Sequence, residues 1–206
     1  MFGANPNAVV PPVDLSSWTV KNPDGKTPGL SYDILKRRNG EREHAALTYV
    51  RAKLRCWEGS IDAAAPRLDL VARQVLLPPA ASDMFLSADM LWMTVDHQTD
   101  WAEDPHLLAG PTLWFPDAQH HHQAIRQAAE FAQEEIADRH GVAVHLVAHA
   151  PERMGKRADF HVHLLCTARE VTPRGVGAFV RPLLETGCQT RIASAWEAWK
   201  KRRPAG

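Results

Sequence analysis

The apolar and polar positions repeat with two different periods along the chain. In LSYDILK (30–36), Leu30, Tyr32 and Ile34 alternate with Ser31, Asp33 and Leu35. That two-residue period predicts a short strand, broken at Asn39-Gly40. In EREHAALTYVRAKLRCW (41–57), Leu47, Val50, Leu54 and Trp57 recur at three-to-four-residue spacing, which predicts a helix. LVARQVLL (70–77) reads as a second strand stopped by Pro78-Pro79, and Ser87 caps a helix running through Leu91, Val95 and Trp101. TLWF (112–115), bounded by prolines, is a third strand. Asp117 caps a long helix with an inner stripe of Ile125, Ala128, Ala129, Ala132 and Ile136; it ends near His140, and Gly141 sits where a closing glycine belongs. GVAVHLVAH (141–149) and DFHVHLLCT (159–167) are the clearest strands. A last helix, about 188–203, puts Ile192, Trp196 and Trp199 on one face. Residues 1–29 hold five prolines and three glycines without apolar periodicity, and read as a loosely ordered extension before a domain spanning 30–206.

Nine residues join the last two strands, too few for a helical crossover, so that pair is antiparallel. The expected fold is α+β: a two-layer domain with an antiparallel sheet of about five strands and helices packed on it.

Composition narrows the function classes. The 206 residues are 45% hydrophobic and 23% charged, ordinary globular usage, and no apolar run is long enough to span a membrane. The start has neither the basic nor the apolar region of a signal peptide, and three scattered cysteines (Cys56, Cys166, Cys188) form no disulfide framework; the expectation is a reducing cytoplasm. Net charge is zero, but the charges are clustered: Lys36 to Arg55 is strongly basic, and Asp89 to Asp104 carries acids only.

Eleven histidines against two tyrosines bring in the chemistry. In DFHVHLLCT, Phe160, Val162, Leu164 and Cys166 share one apolar face, so His161 and His163 share the other. In the preceding strand Val142, Val144, Leu146 and Ala148 form the core face, which puts His149 beside His161 and His163 across a hairpin-type return. Three neutral imidazoles on a rigid sheet make a metal site with open positions; the alternative is three surface histidines on an open sheet face. His145 lies about 13 Å along its strand from His149 and is set aside as a ligand. Asp159 lies just outside the strand, where its side chain could accept the second ring N–H of a ligand histidine. On the 41–57 helix, Tyr49 has Ala45, Ala46, Ala52 and Lys53 as neighbours. Those small residues predict an accessible phenol, and Lys53 with Arg42 gives it a positive field; the alternative is a half-buried structural tyrosine.

AHAPERMGKRADFHVHLLCTAR resembles the signature of MobA/MobL-type relaxases, plasmid-mobilisation nucleases of the HUH class, in which N-x-H-x-H is followed by hydrophobic residues and T-x-R. REHAALTYVRAKLR resembles the family's Ala-rich helix carrying the nucleophilic tyrosine, and the likeness extends over about 30–203. The order is that of relaxases, tyrosine before H-x-H, because no tyrosine follows Tyr49. The resemblance implies that Tyr49 attacks a phosphate of single-stranded origin-of-transfer DNA and forms a 5′-phosphotyrosine. It implies a divalent metal on His149, His161 and His163, magnesium or manganese by family usage, with zinc or nickel also suited to imidazole. Asp159 stands where the family has asparagine. Arg42, Arg51, Lys53, Arg153, Lys156 and Arg157 would track the DNA backbone, and Trp92, Trp101 or Trp114 could stack bases. Accessory mobilisation proteins and a coupling protein are the further implied partners, with no membrane insertion. One departure is plain: Gly110 and Thr112 stand where the family strand usually carries glutamates, for which Asp96 or Asp104 would have to substitute. Two rival readings are a degenerate relaxase fold that only binds DNA, and a hydrolase using the three histidines without the tyrosine.

Overall fold

The computed structural model describes residues 17–39, 42–54, 68–98 and 105–203. Ten strands occur among them: β1 (Thr19–Lys21), β2 (Leu30–Lys36), β3 (Arg38–Asn39), β4 (Arg42–Glu43), β5 (Leu70–Leu76), β6 (His106–Phe115), β7 (Val144–His149), β8 (Phe160–Thr167), β9 (Arg169–Thr172) and β10 (Gly175–Phe179). The helices are α1 (Ala46–Leu54), α2 (Ala88–Gln98), α3 (His121–Phe131) and α4 (Cys188–Arg202), and α3 continues through a wider π-type turn, Ala132–Asp138. Six strands form one antiparallel sheet in the order β1-β2-β6-β8-β7-β5; β3-β4 and β9-β10 are separate hairpins.

The antiparallel α+β architecture is the one expected, with three additions. The sheet has six strands, because β1 adds an edge to β2. Residues 17–29 are therefore built into the fold rather than loosely ordered: Thr19 pairs with Leu35 in register, and Asp24 accepts hydrogen bonds from the backbone N–H of Gly187 and Thr190 at the start of α4. Residues 1–16 lie outside the described residues. The third addition is a further layer. Phe160, Val162, Leu164 and Cys166 pack under α3 and α4 with Phe131, Ile136, Trp196 and Trp199, as the alternation predicts. A second core lies on the opposite face, where α1 and α2 bring Tyr49, Val50, Leu91 and Trp92 onto Leu35, Leu108, Val147 and Leu165. The histidine-bearing face is thus covered at one end and carries the histidines at the other.

Element ends also shift for local reasons. Residues 42–43 form a hairpin strand and α1 begins at Ala46, because the carboxylate of Asp96 accepts from the backbone N–H of Ala46 (2.7 Å) and Leu47 (3.1 Å) and caps the helix from a neighbouring element. Trp57, Trp101 and Asp104 lie outside the described residues. β6 runs from His106 through Pro111, well beyond TLWF, and Pro111 is buried within it. Asp117 does not cap α3; His120 holds the cap position, without a side-chain bond. Gly141 closes the helix as expected, with φ +67° and its N–H on Ala137 O. No helix among the described residues is long and apolar enough to cross a membrane.

Candidate active site

The β7–β8 register sets the site. His149 pairs directly with His161, and Val147 with His163, so the ten-residue return from Ala150 to Asp159 brings all three imidazoles to one end of one face. Ring centroids are 5.5 Å apart for His149–His161, 5.4 Å for His149–His163 and 5.0 Å for His161–His163. Imidazoles around one metal at about 2.1 Å have centroids about 4.5–5.3 Å apart, so the spacing is near that of a metal centre. Among the described residues no group of three or more His, Cys, Asp or Glu side chains, this trio included, stands in metal-holding geometry.

Each ring has an oxygen partner on Nδ1. His161 Nδ1 lies 2.9 Å from the backbone carbonyl of Asp159, His163 Nδ1 lies 2.8 Å from Thr112 Oγ1, and His149 Nδ1 lies 3.5 Å from the carboxylate of Asp69. A carbonyl only accepts, so the proton of His161 sits on Nδ1 and the Nε2 side is left for a ligand bond; the Thr112 hydroxyl can either donate to His163 or accept from it. The donor set therefore suits a divalent cation that accepts imidazole nitrogen. Asp159 plays a different part from the one its sequence position suggests. Its side chain is exposed, and it holds His161 through the main chain, as any residue there could. The carboxylate beside one of the three histidines is that of Asp69. Nothing in the local sequence marks it, because it reaches His149 only through the β5–β7 pairing. His145 is buried and accepts a hydrogen bond from Trp92 Nε1 at Nδ1, inside the α2 core.

Tyr49 departs from expectation. Its side chain is 1% exposed, not accessible. The alanines on its helix face do not open space around the phenol; Ala46 and Ala52 are buried too, and their small size lets α1 approach the sheet. The buried face of α1 is Ala46, Tyr49, Val50 and Ala52, while Leu47 and Leu54 are only partly buried. The hydroxyl donates a long hydrogen bond to Asp33 Oδ2 (3.4 Å) on β2. Burial, followed by the charge of Asp33 and that hydrogen bond, holds the phenol well above its ordinary ionisation range. Lys53 Nζ stands 5.3 Å from the ring centroid.

Asp33 pairs with Gly110, and Ser31 pairs with Thr112, which pairs in turn with His163. Asp33 and His163 are thus two strands and one side-chain row apart, about 12 Å between Cα atoms. The β6 floor between them is Gly110 and Thr112, one without a side chain and one with a small one. Asp96, a possible stand-in for the missing acids, is occupied as the cap of α1.

The profile of the MobA/MobL family matches residues 59–203, which include all three site histidines. The chain belongs to the MobA/MobL family. That match begins after Tyr49. A solved structure described as "Molecular Basis of Vancomycin Resistance Transfer in Staphylococcus aureus" has a similar fold, with a TM-score of 0.60 and 22% identity, covering 84% of this chain and 90% of that chain. No curated protein matches. MobA/MobL membership makes a mobilisation relaxase the coarse reading of the protein.

In this MobA/MobL chain the return between His149 and His161 carries Arg153, Lys156 and Arg157, all exposed. Arg51 on α1 pairs with Asp89 (3.2 Å), and the side chain of Arg42 lies outside the described residues. The basic stretch before α1 is not all surface: Arg37 is buried and donates to the carbonyl of Asp96. Trp92 is wholly buried, whereas Trp114 is half-exposed beside the site. Its ring lies 4.5 Å from that of His161, and its Nε1–H donates to Ser31 Oγ (3.1 Å). Trp114 also lines two clefts, one of about 440 Å³ that includes Lys26 and Ser31, and one of about 410 Å³ that includes His120 and Lys200.

Proposed function

We propose that this protein is a relaxase that nicks and reseals single-stranded origin-of-transfer DNA through Tyr49. What carries the reading is one juxtaposition in a MobA/MobL chain: three braced imidazoles and a tyrosine hydroxyl on the same sheet face, with only Gly110 and Thr112 between them on β6.

In this reading His149, His161 and His163 hold a divalent cation, which when bound supplies charge neutralisation at the scissile phosphate. Arg153, Lys156 and Arg157 hold the DNA backbone at the return that carries the metal ligands. Trp114 offers a fixed aromatic face on which a base stacks next to His161. The Tyr49 oxygen, beside the β6 floor, bonds to phosphorus, and the P–O3′ bond breaks. The 5′-phosphotyrosine keeps the bond energy, so the reverse attack by a 3′-hydroxyl reseals the strand without a nucleotide triphosphate. Accessory mobilisation proteins and a coupling protein are the partners this activity calls for.

One observation favours a second reading. Tyr49 is covered and held in its neutral form, and β6 carries no acid, which suits a relaxase fold that binds DNA without cutting it. A labelled origin-of-transfer oligonucleotide with manganese decides between them. A protein–DNA adduct resistant to denaturant, lost in Tyr49→Phe, is expected for the relaxase. Salt-dependent binding with no adduct and no difference in Tyr49→Phe selects the binding protein, and cleavage without any adduct selects a hydrolase.

A further inference from the structure

The chemistry above leaves the phenolic proton of Tyr49 without a destination. The sequence has no acid at Gly110 or Thr112, and Asp96 is spent on the N-terminus of α1. Thr112 bonds to His163 and so braces a ring, but it cannot take up a proton at neutral pH. The carboxylate hydrogen-bonded to the phenol comes from a different strand. Asp33 on β2 is the register partner of Gly110, and its Oδ2 lies 3.4 Å from Tyr49 Oη. A Cβ built on Gly110 would lie 3.7 Å from Asp33 Cβ, so the two positions project into the same space. Thr19 Oγ1 donates to the other oxygen, Oδ1, at 3.2 Å and fixes which oxygen faces the phenol.

We propose that Asp33 is the general base of Tyr49, supplying from β2 the carboxylate that β6 lacks at Gly110. This rests on Tyr49 being the nucleophile. As the Tyr49 oxygen bonds to phosphorus and the P–O3′ bond breaks, the phenolic proton passes to Asp33 Oδ2, and the departing 3′-oxygen takes a proton from water. Resealing runs the same transfers backwards. The groups facing Asp33 are Thr19 and, by register, Lys21 from β1, Tyr49 with Lys53 from α1, and the apolar Leu165 beyond Gly110. In the cover over the phenol Asp33 is thus the carboxylate placed to act.

The test uses the full chain with manganese and thymidine 5′-(4-nitrophenyl phosphate). Release of 4-nitrophenolate and the mass gain on the Tyr49 peptide report attack by the phenol. In the parent protein labelling is expected, and in Tyr49→Phe it is lost. Asp33→Asn should slow labelling about 100-fold, the usual reach of a positioned base. The pH profile should change too: the Asn variant should speed up in proportion to hydroxide across pH 6–9, where the parent is flat. Adding Gly110→Glu to Asp33→Asn returns a carboxylate from β6 and should recover part of the rate, since its Cβ meets only ordinary contacts. If Asp33→Asn does not fold, Asp33→Ser, which keeps an oxygen for Thr19, makes the same comparison. With only two tyrosines in the chain, ring-carbon NMR in a Tyr32→Phe background gives a reading independent of turnover. There the Tyr49 phenol should ionise at lower pH once Asp33 is Asn. An unchanged rate and pH profile in Asp33→Asn overturns the proposal and leaves Tyr49 as the nucleophile. Labelling that persists in Tyr49→Phe, or no labelling of the parent, overturns both.

Discussion

Asp69 and His149, each 2% exposed in its side chain, meet across the β5–β7 edge with Oδ1 3.5 Å from Nδ1. The contact is longer than a tight hydrogen bond, and it places a carboxylate against the least exposed of the three rings. Outer-sphere carboxylates of this kind contribute about 10–100-fold to metal affinity. Asp69→Asn should therefore weaken manganese binding by about that factor in a calorimetric titration. Asp159→Ala should leave binding unchanged, because His161 uses the main-chain carbonyl at 159. Equal losses in the two variants would contradict this assignment.

A metal that binds only the folded chain raises its stability by about 2.7 kcal/mol at a hundredfold excess over Kd. Manganese or zinc should raise the parent's Tm in a dose-dependent way, and His161→Ala or His163→Ala should abolish the rise. His120→Ala, at the exposed start of α3, should leave it intact.

Acid should destabilise the protein through His145. Burial, reinforced by the charge of Arg73, pushes its pKa down to about 4, against an ordinary 6.5. Above pH 6.5 the ring is neutral both folded and unfolded and contributes nothing. As pH falls from 6.5 toward 4, only the unfolded chain takes up the proton, and stability drops by about 3 kcal/mol. His145→Gln, which retains an acceptor for Trp92, should flatten this limb in urea titrations at pH 7, 5.5 and 4.5.

The two tryptophans should separate cleanly. Trp114→Ala should weaken single-stranded DNA binding by about 1–3 kcal/mol, the range of one base–aromatic stack, with little loss of stability. Trp92→Ala empties a fully buried site in the α2 core and should cost about 3–5 kcal/mol of folding stability. Fluorescence anisotropy and thermal melts on both variants measure the difference.

Replacing Arg153, Lys156 and Arg157 together by alanine should lower the salt dependence of single-strand binding by about two units of log K per log salt, at about 0.7 for each phosphate no longer neutralised. The corresponding change at Arg51, already paired with Asp89, should be smaller.

The histidine trio was legible because it depends on two local rules. Side chains alternate along a strand, and a short return folds the next strand alongside. Together these put His149, His161 and His163 on one face without knowledge of the rest of the chain. The environment of Tyr49 was not legible. The alanines around it describe its own helix, and whether they expose the ring or let α1 settle closer depends on what α1 packs against. The same holds for the layer count, because the apolar residues of α2 and the apolar half of the histidine face announce no partner for each other.

By itself the sequence determined the antiparallel β7–β8 unit, its inward and outward faces, the three histidines and the likeness to MobA/MobL relaxases. The first three follow from short-range periodicity and spacing, and the likeness from motifs along the chain. Only the tertiary structure decided which groups brace those histidines, that Tyr49 is covered, and that its carboxylate partner is Asp33. Those contacts join β6 to β8, α1 to β2 and the start of β5 to β7, between residues 16 or more positions apart. A strand's period says which face a side chain takes, but cross-strand register, which selects its neighbour, is set by the packing of the whole sheet.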